Sequence, residues 1–234
     1  VTFTGKSYIE VQSGQDKMKN LAQMFALKPD ADLAIEWAMG PTTQSQRRKW
    51  KRTMTSEVFR RMVRNLEFDV SEMALATYIV SKHFKKEFTA LPIFLTRGFY
   101  HGTLSCRKDS SFRSPSELNG KKIGVRSYTF TPGVWTRGIL NSEYGLDPNS
   151  VTWVLSGDEH VFEYRPPSNV ISSNSDDLQE MLISGEVDAV IGPTDLDESK
   201  TKSFFNNPST LDEQWFQKTK IYPISHILVV RNSN

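Results

Sequence analysis

Five ionisable side chains crowd one short stretch, WVLSGDEHVFEYRPP at residues 153–167, where Asp158, Glu159, His160, Glu163 and Arg165 fall within eight positions. An imidazole titrates near neutrality, so it can give or take a proton at physiological pH. A carboxylate beside it can orient the ring and raise its pKa. His160 with Glu159 therefore reads as a general acid–base pair. Glu163 and Arg165 are candidates for holding a polar ligand, and a self-satisfied salt-bridge loop is the plainer alternative.

Two further stretches carry the same kind of chemistry. In RGFYHG (97–102), His101 can transfer a proton and Arg97 can clamp a carboxylate through two parallel hydrogen bonds. Tyr100 and Phe99 can stack on an aromatic ring or pack in the core. In RSYTFTPGVWTRG (126–138), a strand gives way to a helix with Pro132 in its first turn, a favourable place for proline. The free N–H groups at such a start attract an anion. Arg126, Ser127, Thr129 and Thr131 would add donors. His226, in YPISHILVV, is a weaker candidate, because a lone histidine on an apolar strand is more often a core residue. His83, beside lysines at a helix end, reads as surface. No HExxH pattern, nucleotide-binding glycine loop or nucleophile elbow is present, so neither a metal site nor a nucleophilic serine or cysteine is expected.

These residues need elements to position them. The apolar spacing predicts strands over 31–39, 68–73, 89–95, 121–127, 151–157, 187–193 and 221–231, and an extended segment over 101–108. Helices are predicted over 55–68, 74–84, 131–145, 176–186 and 210–219, with a short one opening at 114–118; 194–209 reads as loop. Alternation of this kind argues for α/β layers. The long segments 101–108 and 221–231 bracket a βαβα unit and read as crossovers between two lobes. Lobe 1 is expected to hold residues 1–100 with 221–234, and lobe 2 residues 101–220. A ligand would lie in the cleft between them, near strand C-termini.

Composition sets limits. The 234 residues carry 29 Lys+Arg against 27 Asp+Glu, a net charge of +2, so nothing demands a nucleic-acid partner. The basic run QRRKWKR (46–52) reads as a solvated helix face. No apolar run approaches the ~18–20 residues of a membrane span. Cys106 is the only cysteine, which excludes an internal disulfide and suggests a reducing, cytoplasmic location. No signal peptide is visible, and the opening VTFTGKSY, without Met, leads us to expect sequence before it.

The segments EFDVSEMALATYI, FTALPIFLTRGFYHG, LNGKKIGV, TPGVWTRGILNSEYG, VTWVLSGDEHVFEYRPP and YPISHILVV together resemble the 4,5-dihydroxyphthalate decarboxylase family over roughly residues 55–231. The resemblance implies a two-lobed type II periplasmic-binding-protein-like fold with two crossover strands and a central cleft. It also implies loss of carbon dioxide from a hydroxylated aromatic (phthalate-type) acid without a cofactor. Such a reaction needs a cation for one carboxylate, a proton for the ring carbon and a group that activates a phenol. On this reading His101 and His160 divide the proton-handling roles and Glu159 orients one of them. Arg97, Tyr100, Arg126, Ser127, Thr129, Thr131, Glu163, Arg165 and His226 contact substrate. The expected partner is a small aromatic carboxylate, with a homo-oligomer left open. The competing reading is a solute-binding protein for an aromatic or other anionic molecule, and a third is the sensing domain of a larger regulator. Fold alone separates none of these.

Overall fold

The computed structural model describes residues 56–192 and 196–232, and the strand expected over 31–39 and the basic run at 46–52 lie outside them. Residues 56–65 are helical, with Phe59, Met62 and Val63 buried on one face as their spacing dictates. The described residues then give β1 (Val70–Ala74), α1 (Leu75–His83), β2 (Phe88–Arg97), a 3₁₀ turn (His101–Thr103), β3 (Leu104–Arg107), a second 3₁₀ turn (Pro115–Leu118) and β4 (Lys122–Val125). They continue with α2 (Thr131–Tyr144), β5 (Thr152–Leu155), β6 (Val170–Ser172), α3 (Leu178–Ser184), β7 (Ala189–Ile191), β8 (Thr201–Ser203), α4 (Pro208–Thr219) and β9 (Ile224–Arg231).

Two compact units share these elements. Among the described residues, the smaller takes in 56–73, Glu87–Thr96 and 226–232; the larger takes in Ala74–Lys86, 97–192 and 196–225. The smaller unit carries a three-stranded sheet of order β1-β9-β2. Strand β2 ends in the larger unit at Arg97, and β9 begins there with Ile224 and Ser225. These are the two crossover strands of a type II periplasmic-binding-protein-like α/β fold; the segment 101–108, expected as a crossover, is instead a 3₁₀ turn and a short strand within the larger unit. Helix α1 belongs to the larger unit.

The larger unit is built on a six-stranded sheet of order β6-β5-β4-β7-β3-β8. Strands β6, β5, β4 and β7 are parallel neighbours, and β3 runs antiparallel to β7 and β8. Of the parallel strands, β4, β5 and β7 are short apolar runs, largely buried as a sheet covered by helices requires. Leu104, Ile123, Val125, Leu140, Trp153 and Ile191 form the main core. Val154, Val190, Met181 and Leu182 form a separate cluster that packs α3 against the sheet. Gly124 is held by contact: a Cβ there would lie 3.1 Å from both Leu178 and Val190. Helix α2 closes on Gly145 in the left-handed region, which suits glycine. Strands β6 and β8 went unread in the sequence. Both are three residues long and largely exposed, with no apolar run to announce them, and β8 falls inside the stretch expected to be loop.

Candidate functional site

Strands β4 and β5 pair in parallel with Val125 opposite Leu155, so the chain leaves both side by side. Ser156 N donates to Val125 O across 3.0 Å. Gly157 then passes so close that a Cβ would sit 3.2 Å from Arg126 O. The loop holding Glu159 and His160 is therefore laid along the loop that leads from Arg126 into α2.

His160 is 4% exposed. Its Nδ1 lies 3.0 Å from Thr77 Oγ1 on α1, and its Nε2 lies 2.8 Å from Nη2 of Arg126. A guanidinium only donates, so Nε2 accepts, and the proton of the neutral ring sits on Nδ1 facing Thr77. The arrangement presents a base in its unprotonated form, with a cation at its basic nitrogen.

Glu159 is placed differently from the reading that made it a partner of His160. Its carboxylate accepts from Tyr128 N at 2.5 Å, from Thr129 N at 3.2 Å and from the Thr129 hydroxyl. Thr129, expected as a ligand donor, thus serves Glu159. Thr131 also differs: its hydroxyl accepts from Ala76 N at 3.0 Å. The N-cap of helix α1 is Ala74, which has no capping oxygen, and Thr131 fills that need from another element. The N-cap of α2 is Phe130, which offers no side-chain oxygen. Ser127 is buried beneath this turn, its carbonyl accepting from Phe130 N. Gly192, at φ +118, lies under Phe130, where a Cβ would come within 2.8 Å of the ring.

The remaining expected residues lie elsewhere. His101, 2% exposed, has Nδ1 2.5 Å from Oδ1 of Asp212 on α4, and its backbone N–H meets the same oxygen at 3.2 Å. Its ring packs edge-on against Tyr144 and Phe205. His101 therefore touches the last residue of α2, whereas the His160 cluster is tied to the first through Thr131 and α1. A 14-residue helix spans about 20 Å, so the two histidines answer to partners at opposite ends of it. Tyr100 packs with Ile139 and Trp215, and burial pushes its phenol pKa up. Arg97 lies over the ring of Tyr222, which also stacks on Phe99. Glu163 is exposed and takes a 2.6 Å bond from Lys86, which holds its carboxyl below the ordinary range. Arg165 donates to Phe162 O and Tyr164 O in its own turn. His226, in the smaller unit, bonds Glu72 at 2.6 Å and meets Phe59 edge-on.

Three participants escaped the sequence reading. Thr77 and Asp212 gave no local signal, because their partners are 83 and 111 residues distant. Arg137 did give one. It lies four residues after Gly133 in a predicted helix, hence on the same face of its first turns. The side chain is 8% exposed, with Nη2 donating to Tyr128 O at 2.7 Å. Its guanidinium carbon lies 4.0 Å from the Tyr128 ring centre and 5.2 Å from that of Trp153.

By its layout the chain has a type II periplasmic-binding-protein-like fold. Among solved structures it is similar to a putative periplasmic sulfonate-binding protein from Methylobacillus flagellatus, with a TM-score of 0.45 and 18% identity, over 76% of this chain and 46% of that one. It is also similar to an alkanesulfonate-binding protein from Xanthomonas axonopodis pv. citri, with a TM-score of 0.40 and 11% identity, over 76% and 52%. No protein-family model matches. Among curated proteins it is similar to two 4,5-dihydroxyphthalate decarboxylases. It is 32% identical over 191 residues to the one from Comamonas testosteroni, covering 76% of this chain and 58% of that protein. Against the one from Pseudomonas putida it is 37% identical over 146 residues, covering 58% and 57%. The chain thus spans under three-fifths of the length of either relative.

The cytoplasmic location expected from the cysteine count is corrected by these comparisons. Similar solved structures are named as periplasmic binding proteins. A chain whose single cysteine, Cys106, is buried forms no internal disulfide in any compartment, so its cysteine usage does not point to the cytoplasm. No helix among the described residues is long and apolar enough to cross a membrane.

Proposed function

We propose that the chain carries the decarboxylation site of an enzyme acting on a hydroxylated aromatic dicarboxylate of the phthalate type, with Arg126 and His160 as its working pair. The relationship to the decarboxylases supports the reaction class. The observation that carries the residue assignment is the 2.8 Å contact between Arg126 Nη2 and His160 Nε2.

The contact suggests how binding and activation are coupled. A carboxylate is a stronger acceptor for a guanidinium than an imidazole nitrogen is. A substrate carboxylate arriving at Arg126 takes over that donor and releases Nε2. His160 then accepts the proton of a ring hydroxyl, and the oxygen's electron pair moves into the ring. The carbon bearing the leaving carboxylate takes up a proton from an exchangeable donor. Its bond to the carboxylate breaks, the electron pair returns to the ring, and carbon dioxide departs. The regained phenolate is reprotonated, so one proton is consumed per carbon dioxide released. Thr77 holds the other side of the imidazole and keeps it in register. In this scheme His101, tied to Asp212 among aromatic rings, has a structural part.

The test is incubation of the protein with 4,5-dihydroxyphthalate while carbon dioxide is measured. Release that depends on Arg126 supports the reading. Binding of the compound without release, by folded protein, selects the solute-binding alternative.

A further inference from the structure

We propose that Arg137 is the specificity-determining cation of this site, receiving at Nη1 a carboxylate oxygen of a ligand seated against the first turn of α2. The proposal rests on the reading of the 126–131 and 156–165 loops as a binding site, and adds a second cation to Arg126.

A guanidinium taken out of water needs an anion or a full set of acceptors to offset the lost hydration. Arg137 has two ring faces and one carbonyl, Tyr128 O. Its Nη1 is buried and has no hydrogen-bond partner among the described residues. Glu159, whose charge acts on it, is already held by Tyr128 N, Thr129 N and the Thr129 hydroxyl. An aliphatic side chain would fill the space between Tyr128 and Trp153 without carrying this desolvation penalty.

The unpartnered donor is aimed at a place that already favours an anion. Helix α2 is 14 residues long, and its first turn leaves N–H groups without intrahelical partners, those of Thr131 and Gly133 among them. The position of a Cβ on Gly133 would be 3.7 Å from Arg137 Nη1 and 3.7 Å from Phe130. Glycine there removes the side chain that would stand between the helix start and the guanidinium. Because Nη1 is closed from solvent, entry of the anion requires neighbouring side chains to shift. A carboxylate reaching this position meets a charged donor and backbone N–H groups together. With Arg126 presenting a second cation from the same loop, the site selects a ligand with two anionic groups over one with a single group.

The test uses phthalate, which has both carboxylates and no hydroxyl, with catechol as the hydroxyl-only control. Binding is measured by calorimetry for wild type, Arg137→Lys and Arg137→Met, with thermal unfolding recorded for each. Phthalate affinity should fall at least ~10-fold in Arg137→Lys and further in Arg137→Met, in line with the loss of a charge-assisted hydrogen bond; catechol should be unaffected. In wild type, the Arg137 guanidinium NMR resonances should shift on phthalate addition and not on catechol addition, a reading that needs no variant. Undiminished phthalate affinity in a folded variant, unshifted resonances, or no phthalate binding by wild type overturns the proposal. Because phthalate has no hydroxyl to activate, this outcome is independent of whether 4,5-dihydroxyphthalate is turned over.

Discussion

Arg126 stands 2.8 Å from the imidazole of His160, with its Nη2 facing Nε2. Because an arginine has no lone pair to offer, this geometry sets the tautomer of the histidine as well as its place. A ¹⁵N NMR spectrum of the His160 ring should show a protonated Nδ1 and a bare Nε2 near neutral pH. Arg126→Met removes the donor at Nε2 and should change the tautomer balance. A ring protonated at Nε2 in the unliganded protein would be incompatible with the site as described.

Glu159 ties two loops by accepting from Tyr128 N and from both the N–H and hydroxyl of Thr129. In Glu159→Gln one of the two oxygens becomes an NH₂ group, which cannot accept. Leaving such donors unmatched costs about 1–3 kcal/mol. At roughly 2–4 °C per kcal/mol for a chain of this size, the melting temperature should fall by several degrees. An unchanged melting temperature would show that the loops are held by other contacts.

His101→Ala should behave as a core mutation. It opens a cavity beside Tyr144 and Phe205 and leaves Asp212 without its ring partner. Losses of this kind run to about 2–5 kcal/mol. Urea unfolding should show a lower midpoint at an unchanged slope. A variant as stable as wild type would reopen a catalytic part for His101.

The Lys86–Glu163 contact offers a pH test. The hydrogen bond from Lys86 lowers the Glu163 carboxyl pKa in the folded chain. A depressed folded pKa contributes stability above the unfolded value, and that contribution is lost as pH falls through the folded one. Glu163 is exposed, so the effect on unfolding should be too small to measure. Site-specific titration by NMR should place its midpoint below that of an ordinary glutamate. Lys86→Ala should return it upward; an unmoved midpoint would mean the contact is not formed in solution.

Much of the fold was legible because its elements are locally consistent. Thr131–Tyr144 announces itself by a proline in the first turn and a glycine just past the end. Thr152–Leu155 announces itself as a short, largely apolar run. The site was legible only in its residue types. That Arg126 and His160 belong together follows from the β4–β5 pairing, which the strand pattern allowed and did not specify. That Thr129 and Thr131 serve Glu159 and α1 could not be read at all, because those partners come from other segments. His101 and His160 looked equivalent along the chain, and only the placing of α2 between their partners separates them.

The most direct test of the proposed pair is turnover of 4,5-dihydroxyphthalate by wild type, His160→Ala and the surface control His83→Ala. A positioned proton-transfer group contributes ~10²–10⁴-fold in rate. His160→Ala should therefore lose at least ~100-fold in kcat while unfolding at the wild-type temperature to within a few degrees, and His83→Ala should match wild type. A folded His160→Ala that releases carbon dioxide at the wild-type rate would contradict the account.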